Sequence, residues 1–193
     1  FDELGVEGTP WMPIPRQQRI DLNKRYNDKA ERLVGKRLLQ ENFPPQDANL
    51  PAVKRIGEVF GGQYIYHNET EWLTRSVHSY NELETLLDQV ERMDLRAFML
   101  PENWEKEKRR VYECYGFRPA LMRHIRGPVT LACSIMGTEQ FLFFIIDEPD
   151  LARRFSHVIT KVTLEMAAIM DEEAGTDAAQ QPGFSFADDN CCL

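Results

Sequence analysis

The chain has 193 residues, 42% of them hydrophobic and 28% charged, which is enough for a globular core. Its net charge of −8 excludes nucleic acid as an expected partner, because phosphate contacts need a basic face. The longest apolar run, Phe141 to Ile146, falls well short of the roughly 18 residues of a membrane span, so no membrane partner is expected.

Residues 1–16 carry Pro10, Pro13 and Pro15 and no helical period, and read as an extended arm. Phe1-Asp2-Glu3-Leu4 has neither a basic nor an apolar signal region. Residues 17–40 read as a helix with Ile20, Tyr26, Ala30, Leu33, Val34 and Leu38 on one stripe. Its other face carries basic residues from Arg19 to Arg37. That face is either solvated or a docking surface for an acidic partner. Three prolines between Asn42 and Pro51 break the chain, so residues 1–56 are expected to stand apart as arm and helix.

Gly61 to Tyr66 reads as a turn and strand, with His67 directly after it. Ser79 and Glu82 form a capping box for a helix that buries Leu83, Leu86, Leu87, Val90 and Met93. Pro101 marks the first turn of another helix, with a Glu105–Arg109 pair along it and Gly116 at its end. Ala120 to Ile125 and Val129 to Ala132 read as buried strand or strand-end, and Thr138 to Ile146 as a short helix. Pro149 opens a long helix with Leu151, Phe155, Val158, Ile159, Val162, Met166, Ile169 and Met170 on its buried stripe and Gly175 at its end. Gly183 to Ala187 is a short strand, and Asp188-Asp189-Asn190 lies where it stops.

Strand, long crossover helix and strand make a βαβ unit whose strands should be parallel. In open or closed sheets of this kind the chemistry sits at the carboxyl ends of the strands, which is where Asp188 and Asp189 lie. Neither GxGxxG nor GxxxxGK[ST] is present, so dinucleotide and P-loop readings have no support. The four cysteines, Cys114, Cys133, Cys191 and Cys192, lack CxxC spacing and read as reduced thiols in a cytoplasmic protein.

Five blocks in order resemble the uroporphyrinogen decarboxylase superfamily. They are Gly127-Pro128-Val129-Thr130-Leu131-Ala132, Gly137 with Glu139, Asp147-Glu148-Pro149, Glu173-Ala174-Gly175-Thr176-Asp177, and Ala187-Asp188-Asp189. The resemblance implies an α/β fold, a (β/α)8 TIM-type barrel with an N-terminal helical extension. Residues 57–193 would cover only its first part, since such a barrel takes about 250 residues.

The family's decarboxylases grip substrate carboxylates with Arg-Gln-Ala-Gly-Arg-Tyr, which is absent here. Ser134 stands where they carry a substrate-contacting Tyr, and Asp189 replaces a Ser. Two carboxylates would repel a polyanionic tetrapyrrole. The resemblance therefore implies the methyltransferase branch, which moves a methyl group between a corrinoid or methylated donor and a thiol or corrinoid acceptor. Decarboxylation of uroporphyrinogen or another acid is the alternative, and a non-catalytic partner-binding protein is the third reading. In that branch zinc holds the thiol, with ligands that would lie beyond Leu193. A corrinoid protein or a small molecule is the implied partner, and the reading allows a homodimer.

Asp188 and Asp189 are the catalytic candidates, as proton carriers or substrate orienters, with capping as the alternative. Asn190, Arg126, His67 and Ser134 are the candidate substrate contacts. Arg126, just before Gly127-Pro128, would meet an anion. Cys191 and Cys192 are either a soft-metal pair or packed thiols. Tyr64, Tyr66 and Trp72 either wall an apolar site or pack as ordinary aromatics.

Overall fold

A computed structural model of the chain describes residues 1–8, 14–43, 45–67, 70–116, 118, 124–175 and 185–188. Its contacts divide into two units, Phe1–Asn49 and Leu50–Leu193.

In the first unit a 3-10 turn at Asp2–Leu4 precedes helix α1, Arg16–Val34. The helix stops six residues earlier than the periodicity suggests. Gly35 takes the left-handed conformation (φ 70°) and donates its N–H to the Glu31 carbonyl, the usual glycine stop. The buried face is also different from the expected stripe. It consists of Leu22, Asn27 and Ala30, while Leu33, Val34 and Leu38 are exposed. Asn27 explains the difference, because its amide anchors the chain that follows the helix. Its Nδ2 donates to the Leu39 carbonyl and to Glu41 Oε1, both at 2.7 Å. Its Oδ1 accepts from Leu38 N (2.9 Å) and Leu39 N (2.8 Å). A fully buried amide survives only with its donors and acceptors satisfied, and this one is.

Two basic residues of this stretch, Lys29 on α1 and Arg37 just beyond it, are met by acids of the same unit. Lys29 pairs with Glu3, and Arg37 with Asp28, Glu31 and Glu41. Exposed pairs of this sort add little stability, but they leave less free positive charge for an outside partner.

The second unit begins with a helical turn, α2 (Ile56–Val59), and an antiparallel hairpin of β1 (Tyr64–His67) and β2 (Thr70–Leu73). Tyr64 pairs with Leu73 and Ile65 with Trp72. Helix α3 (Tyr80–Glu91) starts as its cap predicts. Ser79 Oγ accepts from Glu82 N, while Glu82 reaches one residue further back, to His78 N at 2.7 Å. Ser79→Ala should cost about 1 kcal/mol, read as a lowered urea midpoint with an unchanged slope. Helix α4 (Leu95–Met99) is capped by Asp94, and α5 (Trp104–Tyr115) ends at Gly116 (φ 73°). Along α5, Glu105 pairs with Lys108 at 2.8 Å, the i,i+3 neighbour, in place of the expected Arg109.

Strand β3 (His124–Arg126) leads into α6 (Pro128–Met136), α7 (Thr138–Asp147), α8 (Pro149–Ala174) and β4 (Ser185–Ala187). The long helix α8 is the spine of the unit and packs on α3, α4 and α7. Its buried stripe from Phe155 to Met170 follows the 3.6-residue period. Phe155 meets the edges of Phe60 and Phe144 at centroid distances of 6.0 and 6.3 Å. Gly175 ends α8 in the left-handed conformation (φ 63°). Strands β3 and β4 pair in parallel, with Ile125 opposite Phe186 and Arg126 opposite Ala187.

Two expectations are corrected. Val129 to Ala132 is helix, not strand. Pro128 has its φ preset for a first helical turn, and Gly127 before it is held extended (ψ 152°), so the chain turns from strand to helix there. The expected (β/α)8 barrel is also absent. The described residues are mostly helical and hold one antiparallel pair and one parallel pair of short strands. A closed barrel needs each strand bonded on both sides, and each of these four has one partner among the described residues. The apolar residues that could have formed further strands are spent instead on α6, α7 and α8. Among the described residues, no single helix is long and apolar enough to cross a membrane.

Candidate functional site at the ends of the parallel strands

The carboxyl ends of β3 and β4 lie side by side, and the chain gives them a shared lock. Helix α6 begins with a cap residue, Gly127, that has no side chain to offer the first free amides. Asp188, one residue beyond β4, supplies the missing acceptor. Its Oδ2 accepts from Val129 N (3.1 Å), and its Oδ1 from Thr130 N (2.7 Å) and Thr130 Oγ1 (2.8 Å). Burial pushes the Asp188 carboxyl up, but the Thr130 hydroxyl and the two amides outweigh it and hold the group below the usual aspartate range. A carboxylate held ionised, with both oxygens engaged at a helix N-terminus, is built to position rather than to ferry protons.

Two other predicted residues join this group. Arg126 Nη2 donates to Ser134 Oγ at 3.1 Å, and Ser134 Oγ donates to the Thr130 carbonyl at 2.7 Å. Arg126, Ser134, Thr130 and Asp188 thus form one connected chain of polar contacts. Arg126 makes no ion pair among the described residues, and its Nε is buried without a hydrogen-bond partner. An unsatisfied buried donor costs about 1–3 kcal/mol, more when charged, so such a group calls for a reason.

The hairpin contributes Tyr64, which sequence reasoning weighed as a wall, and Glu71, whose partner Arg55 stands at the start of α2; that pair it did not weigh at all. The Arg55 guanidinium lies 3.3 Å over the Tyr64 ring and forks onto Glu71 at 2.5 and 3.0 Å. Desolvation raises the Tyr64 hydroxyl, a rise opposed by a backbone hydrogen bond at Gly57 and by the charges of Arg55 and Arg126. Glu71 is held below its ordinary value by its hydrogen bonds to Arg55, with Arg55 and Arg126 adding charge attraction. Both effects place Arg126 within electrostatic reach of the hairpin. Signals for the missed partners were thin, because Arg55 and Glu71 are ordinary charged residues 16 apart in sequence.

His67 does not join the group. It ends β1 exposed, and no hydrogen bond or ion pair ties it to the strand-end cluster among the described residues. Tyr66 and Trp72 are exposed on the hairpin. Asp189, Asn190, Cys191 and Cys192 lie outside the described residues. Cys133 is buried, and burial raises its thiol, partly offset by a hydrogen bond to Thr138 and reinforced by the Asp188 charge. It stays a protonated thiol at neutral pH rather than a nucleophile. Cys114 is exposed and free.

On the opposite face of α6, Pro128, Val129 and Ala132 line an apolar groove of about 400 Å³ with Phe141, Ile145 and Ile159. Thr130 and Ser134 are about half a helical turn away from it, so the groove and the polar cluster are separate surfaces. No group of three or more His, Cys, Asp or Glu side chains among the described residues is arranged to hold a metal ion, so the residues described do not fit a zinc site. Compared with known proteins, the chain matches no family model, no curated protein and no solved structure.

Proposed function

We propose that the chain is related to the methyltransferases of the uroporphyrinogen decarboxylase superfamily, and that the β3–β4 corner holds one of the reacting molecules. The observation that supports this reading is convergence. The Gly127-Pro128-Val129-Thr130 block and the Ala187-Asp188 block, the two most telling parts of the resemblance, are joined by three hydrogen bonds across a separation of nearly 60 residues. The corner also lies at the carboxyl ends of parallel strands, where ligands of α/β units bind.

In the reaction a methyl–cobalt bond of a corrinoid breaks, a methyl–sulfur bond forms on a thiol acceptor, and the thiol proton goes to solvent. The acceptor sulfur in this reading is the substrate's, and Cys133, buried with its thiol pushed up, is unsuited to that role. Asp188 acts as a positioning residue that fixes α6 against the strand ends. No step is routed through zinc. The cytoplasm, a reducing compartment that keeps Cys114 and Cys133 as free thiols, suits this chemistry.

The full chain, incubated with methylcobalamin and 2-mercaptoethanol, should lose methyl–cobalt absorbance and yield the methyl thioether by mass spectrometry. The rate should be at least about tenfold above that of a protein-free control, a barrier lowered by one factor of ten or more. A rate equal to the control removes the proposal.

A further inference from the structure

We propose that Arg126 is the anchor for a single carboxylate on the small molecule bound at the β3–β4 corner. The inference rests on the strand-end site above but not on the reaction carried out there.

The argument starts from charge balance. Among the described residues Arg55, a second arginine near this corner, is neutralised by a two-pronged contact with Glu71. Arg126 has no carboxylate partner among the described residues, and of its donors only Nη2 has an acceptor, the neutral Ser134 hydroxyl. Its Nε is shut off from water and bonded to nothing, while the side chain as a whole is only half-buried and can be approached from solvent. The Glu71 charge within electrostatic reach of Arg126 is already forked onto Arg55, so among the described residues the Arg126 guanidinium has no carboxylate of its own in contact.

Geometry and net charge narrow the anion. Ser134 fixes one end of the guanidinium, and Ser134 is itself held by the Thr130 carbonyl, so the planar fork is pre-positioned. A planar fork with adjacent N–H groups matches the two oxygens of a carboxylate. The same corner contains the ionised Asp188 and Glu71, in a chain of net charge −8. A phosphate dianion would bring two charges to Arg126 beside these carboxylates, whereas a carboxylate brings one. Single charge and planar shape both favour the carboxylate.

The test uses the full chain, isotope-labelled for the arginine Nε–H resonances and titrated separately with propionate and inorganic phosphate. Propionate should move the Arg126 Nε–H resonance saturably and leave that of Arg55 in place, with phosphate binding more weakly. Absence of movement, parallel unsaturable movement of both arginines, or tighter binding of phosphate would each overturn the proposal. Arg126→Met should weaken propionate binding by about thirtyfold, followed by saturation transfer to the ligand. Arg126→Lys keeps the charge and removes the fork, so it serves if the Met variant does not fold. It should lose about tenfold, and unchanged affinity would refute the fork. Failure of methyl transfer with the propionate response intact would remove the proposed reaction and leave this anchor standing. The reverse result would remove only the anchor.

Discussion

Glu173→Ala is expected to destabilise the second unit by about 3–5 kcal/mol, the usual result of breaking a buried ion pair by removing one partner. The Glu173 side chain is 1% exposed. Its Oε2 accepts from Trp104 Nε1 and from Lys108 Nζ, each at 2.6 Å, and its Oε1 pairs with Arg96. Removing the carboxylate leaves the Trp104 indole N–H buried without an acceptor and strips Arg96 and Lys108 of their shared counter-charge. The loss would spread widely, because these contacts pin the carboxyl end of α8 to α4 and α5. A urea melt followed by circular dichroism measures it, and a loss below about 1 kcal/mol would contradict the buried-pair account.

The same residue predicts a pH dependence. Burial pushes Glu173 up, but hydrogen bonds from Lys108 and Trp104 and the charges of Lys108 and Arg96 win, so its folded value lies below the ordinary glutamate value of 4.5. The unfolded chain therefore binds this proton first as pH falls. The contribution is complete above 4.5 and is lost progressively as pH drops through the lower folded value. Glu173→Gln keeps the shape and one acceptor, and should flatten the acid side of the stability profile in that window.

Periodicity exposed the parts of this fold that are long and regular. The α8 stripe recurs regularly from Phe155 to Met170, and Gly116 and Gly175 close their helices as such glycines do. Short apolar runs were ambiguous in kind. Val129 to Ala132 suits a strand or a buried helix equally well, and only Pro128 before it tips the balance. A family barrel drawn from ordered motifs overreached for the same reason, since the blocks fix local turns and caps more firmly than they fix how many strands pair. Glu173 was legible as a motif position but not as an ion-pair hub, because its partners lie 65 to 77 residues away in sequence. At the candidate site, strand-end logic led to Asp188, and Arg126 and Ser134 proved to be its neighbours. What it could not reveal was the direction in which Asp188 points, because that depends on Gly127 having no side chain with which to cap α6.

Asp188→Ala should cost about 2–3 kcal/mol, the loss of hydrogen bonds to a charged acceptor at an otherwise uncapped helix start. The damage should be local. Amide exchange at Val129 and Thr130 should speed up by about tenfold or more as the first turn of α6 frays, while the α8 core keeps its protection. Asp188→Asn separates the two roles that sequence reasoning left open. Its amide keeps one oxygen for Thr130 or Val129 but turns an NH2 toward a helix N-terminus that already presents donors, and it removes the charge that the terminus favours. If Asp188 is a cap, the Asn variant should lose about half of the Ala penalty, with exchange at Val129 and Thr130 intermediate between wild type and Ala. If Asp188 is instead a proton carrier, the Asn variant should keep wild-type stability and exchange while losing activity alone. The three short contacts from α6, together with a carboxyl held below its ordinary value, favour the first result.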